Sequence, residues 1–546
     1  MILDLRSDGL PAELQFDLCI VGSGAAGLAI ASEMPATVNV VVVESGGLEP
    51  EPQTQSLYER EITGLPHPGS IQGRFRIFGG STTQWGGQAL PLMDHDLNQR
   101  DWIPYTGWPL SAADLKPYYH RACRFLRLDS KNFDTELFPY LNARRPAFAE
   151  EDIWYHFSKW SPTPNTREEY LPFFRRAERM TLLLHANVCH IALADGLNRV
   201  EAVTIRSLDG KSAKVRARAF ALCVGGIETA RLLLANNRQQ ANGIGNARDL
   251  VGRFFQDHPS ATIGYLTPTN MRRAQYALNV LHKRGLKYSV RCTATAGWQR
   301  RHRTLNVSMG TMFISGDDTL QAMKNVYGAI KRRQVGRREL VNFLRATRRP
   351  SRVLVPSWYY AVRGRSFAPA ARIQINLTSE QEPNPESRIQ LANRTDALGM
   401  PLASVGWKLT NLTWHTMKEY AALLVGEFRR IGLGQIELEP WLRDDSVDWA
   451  QYITDQNHHM GTTRMHDSPN EGVVASDCRV HGISNLFIGS SAVFPTSGHS
   501  NPTLTIIALC IRIADQLKAE VSHAAEPGTA DETRGRIKLG QVGLAN

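Results

Sequence analysis

The pattern of apolar positions changes character along the chain. Phe16 to Val21 is a short apolar run broken only by Asp17, as expected of a strand buried on both faces, and Val38 to Val43, broken only by Asn39, is a second. Between them lie Gly22-Ser23-Gly24-Ala25-Ala26-Gly27 and then Leu28-Ala29-Ile30, which continues as a short helix. Ala219-Phe220-Ala221-Leu222-Cys223-Val224, the turn Gly225-Gly226 and a helix from Glu228 to Leu234 repeat the motif. This second unit reads as a return of the chain to the first sheet. Between about 265 and 450 the period shifts to two, as in Ile373-Gln374-Ile375-Asn376-Leu377, the signature of a half-exposed antiparallel strand.

These segments predict an α/β protein, with a discontinuous Rossmann-like dinucleotide-binding domain (1–110, 180–265 and 450–520) and an inserted α+β substrate domain on an antiparallel sheet (111–179 and 266–449). The glycine loop explains the cofactor expectation. Gly22 permits the tight turn, Gly24 lets the backbone approach a pyrophosphate, and Gly27 lets the helix pack on the strand with its N–H groups toward the phosphates. Glu44 ends the next strand, where a carboxylate accepts ribose hydroxyls and repels a 2′-phosphate. FAD or NAD fits that arrangement and NADP does not.

Charge and cysteine usage add two points. Between Lys324 and Arg365 twelve basic residues stand against the single acid Glu339, a surplus as large as the formal +11 of the whole chain. Leu320, Met323, Tyr327 and Ile330, then Leu340, Val341 and Leu344, recur there at helical spacing and predict a basic helical hairpin over 318–350, closed by Pro350. Such a segment is a solvated face or a docking surface for anionic lipid, an acidic partner or a negatively charged substrate, and its scattered aromatics do not make a nucleic-acid site. The seven cysteines show no C-x-x-C spacing and read as buried reduced thiols, with no metal site. Met1 to Asp8 carries no export signal, and no apolar stretch reaches the length of a membrane span, so the expectation is a cytoplasmic protein. The tail after about Lys518, assigned as 521–546, reads as disordered.

Chemistry concentrates in two further regions. Gly79-Gly80-Ser81-Thr82-Thr83-Gln84-Trp85-Gly86-Gly87 is a loop whose backbone can press against a flat ligand. Near the end come Asn457-His458-His459-Met460-Gly461-Thr462 and Gly498-His499-Ser500-Asn501-Pro502-Thr503. Oxidising an alcohol by hydride loss needs a base for the hydroxyl proton, which a histidine supplies, and a polar side chain to hold the oxygen, which an asparagine amide supplies without changing charge. A helix starting at Pro502 would aim its positive end at a neighbouring flavin ring. Taken alone, Asn501 reads as a helix N-cap, His458 and His459 could be turn residues, and His499 is a third active-site group or a mere neighbour.

Together these motifs, with Val251-Gly252-Arg253, Asp257-His258-Pro259 and the block Asn485 to Pro495, resemble the glucose–methanol–choline (GMC) family of FAD-dependent alcohol oxidases and dehydrogenases, over nearly the whole length. The His/Asn pair with the Asn-Pro-Thr-Leu-Thr run is similar to its pyranose oxidase and sugar dehydrogenase branch. The resemblance implies that His458, the histidine of H-x-x-G-T, is the base, that His459 is not, and that Asn501 takes the second catalytic position. It implies FAD held by Gly22, Gly24, Gly27 and Glu44 at the ADP half, with Gly80, Ser81 and Ser490 near the isoalloxazine or ribityl part and Val188 and Pro502 as further contacts. Gln84 stands where some members link a histidine covalently to the flavin, so non-covalent attachment is expected, and Ser490 stands where many have an aspartate.

The implied function is removal of a hydride from a CH–OH group of a small alcohol, a sugar or a glycoside, to flavin N5. The electron acceptor is left open among oxygen, a quinone and a carrier protein. The rivals are a non-redox flavoprotein lyase of the same fold and a flavin-binding docking subunit with vestigial catalytic residues.

Overall fold

The computed structural model describes residues 1–314, 336–337, 341, 351–368, 372–444 and 446–522. The proposed hairpin 318–350 and the tail from 523 onward therefore lie outside the described residues, apart from isolated positions in the former.

The first apolar runs become the centre of a six-stranded parallel sheet. Its order is Ile2–Asp4, Met180–Leu184, Val40–Val43, Leu18–Val21, Ala219–Leu222 and Leu486–Ile488. Leu18 pairs with Val40 and Ala219 with Leu18, so the 219–222 strand does return to the first sheet as its pattern predicts. The inner strands are buried at every residue, which is why they read as unbroken apolar runs. The helix Ala25–Glu33 packs on the last helix, Thr503–Ser522, which also covers Ala112–Phe125. This last helix runs through Ser522, past the Lys518 and 521 limits read from composition. Val521 is buried, and its helix continues one apolar face that includes Leu517 and Ala514.

An eight-stranded antiparallel sheet forms the second layer. Its path is Gly434–Leu438, Ser260–Pro268, Arg372–Ser379, Val307–Ile314, Leu286–Ala294, Ile153–Trp160 and Gln88–Ala89, with Leu281–Lys283 paired to Leu286–Ala294. Alternation decides its two faces. Ile373, Ile375 and Leu377 point inward, where the helix Asn411–Arg430 presents Met417, Tyr420, Leu424 and Phe428, while Gln374, Asn376 and Thr378 face the other way. Four strands near the N-terminal half make a separate sheet, and Arg388–Thr395, Pro401–Gly406 and Arg60–Ile62 make a small third one. One continuous apolar core joins the layers.

All seven cysteines are unpaired, and six are buried; Cys189 departs from the expectation in being only partly so. No helix among the described residues is long and apolar enough to cross a membrane.

Candidate active site

A cleft enclosing about 1510 Å³ runs from the Gly22–Ala26 loop past Glu44 and Gly80 to His458, His459 and Pro502. Residues from both ends of the chain meet there because the strands at 18–21, 219–222 and 486–488 are neighbours in one sheet. Of the residues singled out in the sequence, Gly22, Gly24, Glu44, Gly80, Ser81, Val188, Ser490, Pro502 and His458 line this cleft. Gly27 and Asn501 are not among its lining residues. Gly27 sits behind the loop, where its α-carbon touches the turn at Gly22. Gly22 adopts φ +99°, a conformation that favours glycine. Glu44 is 4% exposed, and its carboxylate accepts Ser23 N–H and Oγ–H on one oxygen and Ser45 Oγ–H and Gly46 N–H on the other. Two of those four donors are rotatable hydroxyls, which can turn aside for an incoming ribose hydroxyl.

The loop that carries His458 is anchored on Asp257. Its buried carboxylate accepts the backbone N–H groups of His258 (2.6 Å), Gln456 (3.0 Å) and His458 (2.9 Å), and lies 3.2 Å from His67 Nε2. Burial alone would raise this carboxyl, but the hydrogen bond and charge of His67, with the charges of His459 and His458, outweigh it and hold the group well below the usual carboxylate range. Asp257 thereby ties the loop before His458 to the strand-leading segment at 257–259. Gly226 lets the helix Gly225–Ala235 approach this loop closely: a β-carbon there would lie 2.4 Å from His459 O.

Ring nitrogens set the tautomers. His258 Nε2 lies 3.4 Å from the carbonyl of Ser497 and its Nδ1 is 2.9 Å from His458 Nδ1. A carbonyl only accepts, so His258 carries its proton on Nε2, its Nδ1 accepts, and His458 donates from Nδ1. His458 Nε2 is then the bare nitrogen, 3.4 Å from Asn501 Nδ2. Burial, followed by the charge of His258, pushes His458 down to about 3 despite the opposing Asp257, so the ring is neutral at pH 7 and keeps a lone pair on Nε2. Among the described residues the side chain of Asn501 makes this one hydrogen bond and none to the start of the helix Thr503–Ser522, so it does not act as the N-cap its position before Pro502 suggested.

His459 points the other way, into a buried group with His67 and Asp257 whose ligand atoms lie within 4.8 Å of one another. Three backbone N–H groups bond the Asp257 carboxylate, and His67 Nε2 lies 3.2 Å from it. His499 is buried behind the site, 3.4 Å from Thr293 Oγ1, which also bonds His156. It does not line the cleft.

Sequence reasoning passed over several cleft residues. Arg74 and Arg76 stand over the ring of Tyr58 and, with Arg231, surround Glu228, whose ion pairs measure 2.8, 3.2 and 2.7 Å. Burial pushes Glu228 up, and the charges of Arg231, Arg76 and Arg74 bring it down to about 2. Arg231 also pairs with Asp396 at 2.5 Å, from the small third sheet. Asp257 and His258 were visible as a motif without a role. His67 and Asp396 carried no signal, since neither lies in a motif and both reach the site only through tertiary contacts.

The residues at 383–510 match the family model described as GMC oxidoreductase. In this region the chain is similar to GMC oxidoreductases. It is 27% identical to the fructose dehydrogenase large subunit of Gluconobacter japonicus over 351 residues, 63% of this chain and 55% of that one. It is 23% identical to the 6'''-hydroxyparomomycin C oxidase of Streptomyces lividus over 95% of this chain and 94% of that one. A formate oxidase crystal structure superposes with a TM-score of 0.57 at 16% identity, covering 94% of this chain and all of the other, which places the fold. The GMC fold implies FAD. The cleft fits it: a β-carbon at Gly24 or Gly225 would meet nothing within 4 Å, so both open onto the space where a dinucleotide would run, with Glu44 at one end and His458 at the other.

The buried histidines make the site acid-sensitive. His156, His258, His458, His459 and His499 are all held below the ordinary imidazole value of 6.5, burial being the largest cause in each. Groups depressed in the folded state take up protons first in the unfolded chain. Stability is therefore full above 6.5 and is lost as pH falls from there toward about 3, the value for His458. We expect the melting temperature of the flavin-loaded protein to drop steeply below pH 6.5. A melting temperature that stays level through that window would show the histidines to be ordinarily solvated.

Proposed function

We propose that this protein is an FAD-dependent oxidoreductase that takes a hydride and a proton from a CH–OH group of a small alcohol, a sugar or glycoside in particular, leaving a carbonyl. The observation that carries the reading is the 3.4 Å approach of Asn501 Nδ2 to Nε2 of His458, a residue that lines the same cleft as the dinucleotide loop. A substrate oxygen beside this pair would donate its proton to Nε2 and accept from Nδ2. Taking the proton raises electron density at the carbinol carbon and lowers the barrier to hydride loss, while the amide fixes which hydrogen faces the cleft. His258 holds the His458 ring in the tautomer that exposes Nε2, and Asp257 holds the backbone that carries it. FAD, when bound, supplies the hydride acceptor. Gly22, Gly24, Gly27 and Glu44 would hold its ADP half, and Gly80, Ser81, Val188, Ser490 and Pro502 its remainder.

Attachment is proposed as non-covalent, because Gln84 offers no nucleophile at the position where a histidine would be needed. The fructose dehydrogenase, named for a sugar, supports a carbohydrate substrate. Seven unpaired cysteines support a reducing, cytoplasmic setting. The two-domain division given above belongs to this proposal.

Anaerobic addition of a pooled sugar and glycoside panel to the flavin-loaded protein is expected to bleach the visible flavin band. A band left fully oxidised by sugars and by simple alcohols alike would remove the redox reading.

A further inference from the structure

A second cleft, enclosing about 1250 Å³, opens over the outward face of the antiparallel sheet. Its floor is a row of cross-strand neighbours: Thr262 pairs with Asn376, Asn376 with Gly310, and Arg291 lies on the strand next to Gly310, opposite His156. Gly310 leaves room for the guanidinium to lie across the row; a β-carbon at 310 would stand 3.4 Å from Arg291 Nη1 and meet nothing else within 4 Å. Trp441 and Tyr452, stacked at 5.3 Å and 6°, form an aromatic wall suited to the C–H face of a sugar ring. Thr454 and Gln456 carry the cleft wall to within two residues of His458.

Arg291 has no visible partner. Among the described residues no carboxylate lies within ion-pair distance of it, no acceptor bonds its guanidinium, and its Nε is buried without a hydrogen bond. Glu439 lines the same cleft without reaching it. Arg291 is partly buried, and a charge drawn out of water without a partner forfeits hydration with nothing in return. Asn376 points a second donor into the same space: its Oδ1 accepts from Thr262 Oγ1 and Gln374 Nε2, and its Nδ2 is left for a ligand. Consistent with an uncompensated site, burial pulls Arg291 down to about 10, and its charge reaches His458, His156 and His499.

We propose that the substrate is an anionic sugar, one bearing a carboxylate or a phosphate ester, and that Arg291 is the specificity residue that binds its oxyanion while the ring extends toward His458. This rests on the sugar-oxidising reading above. Arg over Lys suits the role, since a planar fork can grip an oxyanion by two parallel bonds.

The test is calorimetric titration of the flavin-loaded protein with D-glucuronate, D-glucose 6-phosphate and the neutral D-glucuronamide. One or both anions should bind at least about tenfold tighter than the amide, as expected for a charge-assisted pair. The tighter of the two identifies which oxyanion is read. Arg291→Gln should erase the preference and Arg291→Lys should keep part of it, at unchanged flavin content. Gly310→Asp, which places a carboxylate beside Nη1, should erase it too without removing the arginine, so a misfolded Arg291 variant does not decide the matter. Equal binding of anion and amide, no saturable binding of either anion, or a preference that survives both substitutions overturns the proposal. Because binding is read without turnover, flavin bleached by neutral sugars with no anion preference sinks this proposal alone. Anion preference without bleaching by any sugar sinks the redox reading alone.

Discussion

His458→Ala is expected to lower the rate of flavin reduction by about 10²–10⁴-fold, the range for loss of a positioned general base, while flavin content stays unchanged. The backbone explains why the fold should survive. The loop is anchored by the main-chain N–H of His458 on Asp257, and that bond does not involve the imidazole. The side chain itself contributes Nε2 to the cleft and one Nδ1 contact to His258. A merely structural residue would change stability and KM; a base changes kcat and its pH dependence. In the intact enzyme a ring neutral down to about 3 gives no ordinary imidazole limb near pH 6 to 7. In the alanine variant the proton must leave to solvent, so the residual rate should climb with pH. Undiminished flavin reduction in a flavin-replete His458→Ala protein would remove His458 from the chemistry.

The second large effect is expected at Gly27. A β-carbon there would lie 1.9 Å from Gly22 O and 3.1 Å from Ile20 Cγ2, and the closer of these is backbone in the middle of the phosphate turn. Neither the turn nor the buried strand Leu18–Val21 can move away. Gly27→Ala should therefore cost about 3 kcal/mol or more, at or above the upper end for overpacking, and give protein that is poorly folded or free of flavin. Gly24→Ala provides the contrast. Its β-carbon meets no protein atom within 4 Å, so the chain should fold and melt normally while flavin affinity falls, because the methyl occupies space the cofactor backbone contact needs. Equal behaviour of the two variants in melting temperature would refute this division between packing and binding glycines.

Much of the cofactor half is legible in one dimension because the features involved are local. A buried parallel strand must be apolar along its whole length, a turn at φ +99° selects glycine, and a terminal Glu44 follows one strand later, so all the information lies within a few dozen adjacent residues. The same holds for Ile373 to Leu377, whose alternation is the direct imprint of one buried and one open sheet face. Helix ends are less well written: the last helix continues through Ser522 because Val521 finds a buried place, which composition does not express.

The catalytic and specificity arrangements depend on distance in sequence being cancelled by distance in space. His458 and Asn501 could be nominated from the chain alone, but which nitrogen of His458 is bare follows from His258, two hundred residues away, and from the carbonyl of Ser497 behind it. The basic segment drew attention by its charge, whereas the unpaired cation that matters to the cleft is the solitary Arg291, inconspicuous until Gly310 and Asn376 are set beside it by strand register. The sequence by itself determined the nucleotide-binding strand, loop and helix and the change to an antiparallel sheet, since each is encoded in local period and spacing, while His458 and Asn501 were nominated only through the family resemblance. Only the tertiary structure decided the tautomer and proton affinity of His458, the Asp257 anchor, the arginine cluster around Glu228 and the want of a partner for Arg291 among the described residues, because desolvation, ion pairing and hydrogen-bond direction are properties of neighbours that the chain order does not name.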